Sequence, residues 1–129
     1  METILISGRT YDEAAIVKEK EEYVRLEAVD LCFALNKLIH DKSSLVRTAV
    51  ARKKVGHEFL VNDDCWRVRA TVAKYTDNTE ILDKLINDEK DFIRFIIVKR
   101  GYNLESYLND EDEEIALTAK YLLQQKQVA

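Results

Sequence analysis

One phrase recurs along this chain and constrains its fold more than any other feature. Val46-Arg47-Thr48-Ala49-Val50-Ala51-Arg52 returns as Val68-Arg69-Ala70-Thr71-Val72-Ala73-Lys74, and again as Ile93-Arg94-Phe95-Ile96-Ile97-Val98-Lys99. The Val or Ile that opens it stands at positions 24, 46, 68, 93 and 115, in steps of 22, 22, 25 and 22 residues. A fixed period of this size is the mark of stacked units, none of which buries its apolar face alone.

Each part of the phrase has a physical reading. Val46, Ala49, Val50 and Lys53 follow the i, i+3, i+4, i+7 spacing of one helix face, as do Val68, Thr71, Val72 and Tyr75, and Ile93, Ile96, Ile97 and Arg100. An acidic residue lies five positions ahead of the opening Val or Ile each time: Glu19, Asp41, Asp63, Asp88 and Asp110. A carboxylate there suits the unpaired N–H groups and the positive dipole end of the helix that follows. An arginine follows the opening residue in four of the five units, as Arg25, Arg47, Arg69 and Arg94, and Ala116 stands there in the fifth. Paired through the stack, Asp41, Arg47, Asp63, Arg69, Asp88 and Arg94 form a structural ladder. Exposed pairs of this kind contribute only ~0–1 kcal/mol each, so the ladder sets register more than stability.

Between the phrases a Leu-x-x-Asp frame recurs, at Leu38–Asp41, Leu60–Asp63 and Leu85–Asp88, and it degrades to Tyr107–Asp110. The connectors therefore carry a turn or a short helix: about one turn at Glu58 to Val61, and two from Thr79, an N-cap candidate, to Ile86. Gly56 and Gly101 fall just past helix ends, where a left-handed cap is wanted. The pattern predicts a helix opened by a capping box at Thr10 near residue 11, a long helix from Glu22 to about Ile39, and a last helix from about Glu111 to Gln125. The chain reads as a single all-α domain. Residues 1–21 form an N-terminal cap, 22–106 the repeats and 107–129 a C-terminal capping helix.

Composition agrees. The chain has 129 residues, no proline and three glycines, so helix breakers are nearly absent. With 34% charged and 47% hydrophobic residues it is globular. No apolar run approaches a bilayer span and no basic leader opens the chain, so a cytoplasmic location is the default. Cys32 and Cys65 lack CxxC spacing and read as small buried hydrophobes, with no metal site.

The segment from Leu38 to Gly101 resembles the leucine-rich repeat variant family, and more loosely the HEAT repeats. Leu60-Val61-Asn62-Asp63-Asp64-Cys65-Trp66-Arg67-Val68-Arg69-Ala70-Thr71-Val72-Ala73 and Asn78-Thr79-Glu80-Ile81-Leu82-Asp83-Lys84-Leu85 carry the likeness. The resemblance implies a right-handed α-solenoid of about five units of 22–25 residues, each a helix plus a short or 3₁₀ helix. It also implies that the phrase helices line its inner surface. The connector prolines and the cysteine cluster of one iron–sulfur-binding architecture in that family are missing here, so no cofactor carries over.

The face opposite the core stripe is small and apolar. It holds Ser44, Thr48, Ala51 and Val55 in one unit, Trp66, Ala70, Ala73 and Asp77 in the next, and Asp91, Phe95, Val98 and Tyr102 in the third. With Trp66, Phe95 and Tyr102 as anchors and Arg52, Lys74 and Lys99 along one flank, it fits a protein interface. The competing reading is that these residues are core, because solenoid helices are covered on several sides. Charge is uneven: residues 37–100 hold 14 basic and 10 acidic side chains, whereas the flanking segments are each net −4. A basic middle could grip an acidic partner or a phosphate backbone. Neither His40 nor His57 lies in a catalytic or zinc motif, and there is no phosphate-binding glycine loop. The sequence thus points to a non-enzymatic protein-binding module, an adaptor or an inhibitor of the immunity type, monomeric or weakly self-associating. A nucleic-acid-associated HEAT-like protein is the alternative.

Overall fold

The computed structural model describes residues 2–128 and is predominantly helical. Packing divides the chain into two compact units, Met1–Tyr75 and Thr76–Ala129.

The first unit opens on an antiparallel hairpin of β1 (Ile4–Ile6) and β2 (Arg9–Tyr11), in register Ile4 with Tyr11 and Ile6 with Arg9. Ser7 and Gly8 both take positive φ, as a two-residue primed turn demands. The hairpin buries Ile6 and Tyr11. It corrects the helix expected to open at Thr10. Thr10 and Tyr11 are strand residues, and Asp12 caps α1 (Glu13–Val17) by accepting from the Ala15 amide at 2.8 Å. There follow α2 (Glu22–Asp30), α3 (Leu35–Leu38), α4 (Ser44–Arg52), α5 (His57–Leu60) and α6 (Trp66–Tyr75). Helix α4 packs against both α2 and α6.

The long helix expected from Glu22 to Ile39 is broken after Asp30. Cys32 donates its amide to the Val29 carbonyl and Phe33 donates to Ala28, which is a Schellman termination. Cys32 and Ala34 both sit in the left-handed region, at φ 59° and 56°. The same geometry recurs 22 residues on, at Lys54 and Gly56. Lys54, not Gly56, therefore terminates α4, and Gly56 opens α5. Polar satisfaction of the helix end outweighs the cost of a left-handed alanine or lysine at these sites.

The second unit holds α7 (Thr79–Leu85), α8 (Asp91–Lys99), a 3₁₀ turn (Leu104–Tyr107) and α9 (Glu113–Val128). Helix α8 packs on α7 and α9, and the 3₁₀ turn packs on α9. Left-handed Gly101 and Asn103 precede the 3₁₀ turn. The connector before α7 departs from this pattern. Asn78, rather than Thr79, is the N-cap, with φ −96° and its Oδ1 accepting from the Glu80 amide at 2.9 Å. The three extra residues of the 25-residue step lengthen α7 itself, which runs to seven residues where α3 and α5 have four.

Apolar positions repeat in burial as in sequence. Val24, Val46, Val68, Ile93 and Ile115 are at most 3% exposed, and Ala28, Val50, Val72, Ile97 and Ala119 are fully buried. Leu38, Leu60, Leu85 and Tyr107 line up in the same way. Tyr107 keeps the leucine position because its hydroxyl donates to the Ile86 carbonyl at 2.8 Å. The core stripe is rotated from the expected one. Ala49, Thr71 and Ile96 are half-buried, while Ala51, Ala73 and Val98, expected to face outward, are fully buried. In the first unit the reason is contact on two sides: α4 is flanked by two helices, and alanine lets both approach closely.

Candidate binding surface

The most regular chemistry of the chain lies ahead of each phrase helix. Glu19 accepts from the Glu21 amide, Asp41 from Ser43, Asp63 from Cys65, Asp88 from Lys90 and Asp110 from Asp112, all at 2.8–2.9 Å. Each carboxylate thus bonds two residues on, at or beside the N-cap, rather than inside the helix.

The phrase arginines complete the arrangement. Arg25 donates through Nη1 to the Glu19 carbonyl at 2.7 Å and through Nε and Nη2 to Asp41 at 2.8 and 3.2 Å. Arg47 does the same with the Asp41 carbonyl and the Asp63 carboxylate. Arg94 does so with the Asp88 carbonyl and Asp110. Arg69 makes the same main-chain bond, to the Asp63 carbonyl at 2.8 Å. Each fork therefore spans a connector, holding the start of its own unit and the carboxylate 16 residues onward.

These pairs are not the solvated ones foreseen from sequence. The Arg25 and Asp41 side chains are only 3% and 5% exposed. Breaking such a pair leaves a buried charge, which costs about 3–5 kcal/mol rather than a fraction of one. Burial alone would raise the Asp110 carboxyl. The Arg94 fork and the Asp112 amide outweigh it and hold the group below its ordinary 3.8. These guanidinium bonds all run to main-chain carbonyls and carboxylates that hold the connectors to the helix starts.

The expected interface residues scatter in their surroundings. Ala70 and Val98 are buried and take no part in any surface. Trp66, Phe95 and Tyr102 are half-buried. Cations cover two of these rings: Arg67 lies 4.8 Å from the Trp66 ring centre and Lys99 lies 5.6 Å from that of Phe95. Tyr102 donates to the Asp83 carboxylate. Arg52, Lys74 and Lys99 are exposed on the last turns of α4, α6 and α8, where they complement the helix dipole.

The cysteines differ from the sequence reading. Cys32 is exposed, not buried. Cys65 is half-buried ahead of α6, and although burial raises its thiol, hydrogen bonds from the Arg67 and Val68 amides bring it below 9.0. His57 is buried with Nε2 2.8 Å from the Ala51 carbonyl, and His40 meets Phe59 edge-on. Among the described residues, no group of three or more His, Cys, Asp or Glu side chains is placed to hold a metal ion. No described helix is long and apolar enough to cross a membrane.

Large apolar side chains remain on the surface at a position the periodicity did not flag. Tyr23, Leu45 and Phe92, each the second residue of its phrase helix, are 50–60% exposed. Their signal was present in the sequence, as a large apolar residue directly before the opening Val or Ile. It falls outside the core spacing, so periodicity alone does not mark it. Comparison with models of known protein families, with curated proteins and with solved structures returns no match.

Proposed function

We propose that this chain is a non-enzymatic protein-binding module built as a helical repeat, an α-solenoid of the leucine-rich repeat variant or HEAT kind. It acts as an adaptor, or as an inhibitor that docks on a larger target. The recurring acid-to-amide turn and the arginine fork that reaches 16 residues onward support the repeat reading. The observation that carries the binding reading is the exposure of Tyr23 and Leu45 at matching positions on α2 and α4, two helices that pack together. Paired large apolar side chains at the surface suit a partner's apolar face. Aromatic residues contribute most to such interfaces.

The test is affinity capture with the intact chain and with Tyr23→Asp/Leu45→Asp. Both side chains are more than half exposed, so the variant keeps its fold by circular dichroism. The partner retained by the parent chain is lost from the variant. Equal capture by both chains overturns the proposed surface.

A further inference from the structure

We propose that the groove between the α1–α2 connector and the α3–α4 connector docks a short acidic peptide segment, a proposal that rests on the protein-binding reading. Val17, Lys18, Lys20, Lys37, His40 and Lys42 line it, and all six are exposed. Two carboxylates also border the groove, and both are engaged. Glu19 accepts from the Tyr11 hydroxyl at 2.6 Å and from the Glu21 amide at 2.9 Å, with Arg9 at 3.7 Å. Asp41 holds the Arg25 fork and the Ser43 amide.

None of the four lysines forms a salt bridge among the described residues. Lys37 also borders a hollow lined by Glu2, Asp12 and Glu13, without pairing to any of them. Four lysines thus line one concavity in which the two carboxylates are already engaged. Nothing in the groove's own hydrogen bonding needs them.

The lining of the adjoining groove favours one kind of partner. The adjoining groove shares His40 and Lys42 but adds exposed Glu58 and Asp64. A nucleic-acid backbone crossing the unit would meet those carboxylates, whereas a short acidic segment fits within the lysine-lined stretch. Exposed Val17 offers an apolar contact within the same groove. Lysines are mobile point charges without a fixed fork, so they favour carboxylate density over one set geometry. Binding through them weakens as salt rises.

The probe is a short fluorescein-labelled peptide of Glu-Asp pairs separated by leucines, followed by anisotropy on the intact chain. It binds, and raising salt to physiological strength weakens it. Lys18→Ser/Lys20→Ser/Lys37→Ser/Lys42→Ser weakens it at least about tenfold, the scale of a few screened ion pairs. Lys120→Ser/Lys126→Ser leaves it unchanged. Amide shifts on titration fall in 17–20 and 37–42.

No binding, or equal binding by the quadruple variant, overturns the proposal. So does tighter, lysine-dependent binding of a single-stranded oligonucleotide of equal charge. If the peptide fails while Tyr23→Asp/Leu45→Asp still abolishes capture, the groove assignment falls and the protein-binding reading stands. If the peptide binds as stated but that variant captures normally, the groove stands and the apolar surface falls.

Discussion

At the scale of single residues, the left-handed positions are where this chain departs from its best sequence. Cys32 terminates α2 at φ 59°, a conformation that glycine adopts freely, and its side chain is exposed. Cys32→Gly therefore stabilises the chain by about 0.5–1 kcal/mol, read as a higher urea midpoint. Gly56 is the opposite case. It sits at φ 68°, and a Cβ there would run into the Ile39 side chain, which is itself buried. Gly56→Ala costs about 1–3 kcal/mol by the same measurement. Asp110 makes a pH-dependent contribution. Its folded-state pKa lies below 3.8, so the stabilisation is fully present above that value and is lost as pH falls through the depressed one. Stability of the parent chain drops below about pH 4, and Asp110→Asn makes that acid slope shallower.

At the scale of elements, the arginine fork is what joins a phrase helix to the connector after it. Arg25→Ala strands the buried Asp41 carboxylate and removes the donor to the Glu19 carbonyl. It destabilises by about 3–5 kcal/mol in chemical denaturation. Arg25→Met/Asp41→Leu costs clearly less than the sum of its two single changes, because neither charge is then left alone in the core. A double-mutant cycle with additive losses would show that the two side chains do not act as a unit. The acid–Arg spacing was legible in the sequence, since both partners recur at fixed offsets. Their burial was not, because it depends on how deeply the connector folds over the helix start. Nor was the break after Asp30 legible. Ala34 stands where Gly56 stands one period later, and an alanine gives no signal for a left-handed turn.

At the scale of the molecule, the core rather than a partner claims most of the small apolar residues. Ala51, Ala70, Ala73 and Val98 are buried, and the Trp66 and Phe95 rings are half-covered with a cation over each. Trp66→Ala/Phe95→Ala consequently lowers stability by about 2–4 kcal/mol, less than full burial of two such rings would imply. A thermal midpoint equal to the parent's would return both rings to the surface. Period, helical content, the buried Val/Ile line and the acid–Arg offsets were set by the sequence itself, because they follow from local spacing that a helix converts directly into faces. The N-terminal hairpin, the left-handed breaks, the rotation of the core stripe and the exposure of Tyr23, Leu45 and the groove lysines were decided only in the folded molecule. Those features depend on which neighbours cover a helix, and a helix's own periodicity says which residues share a face without saying how many faces will be buried.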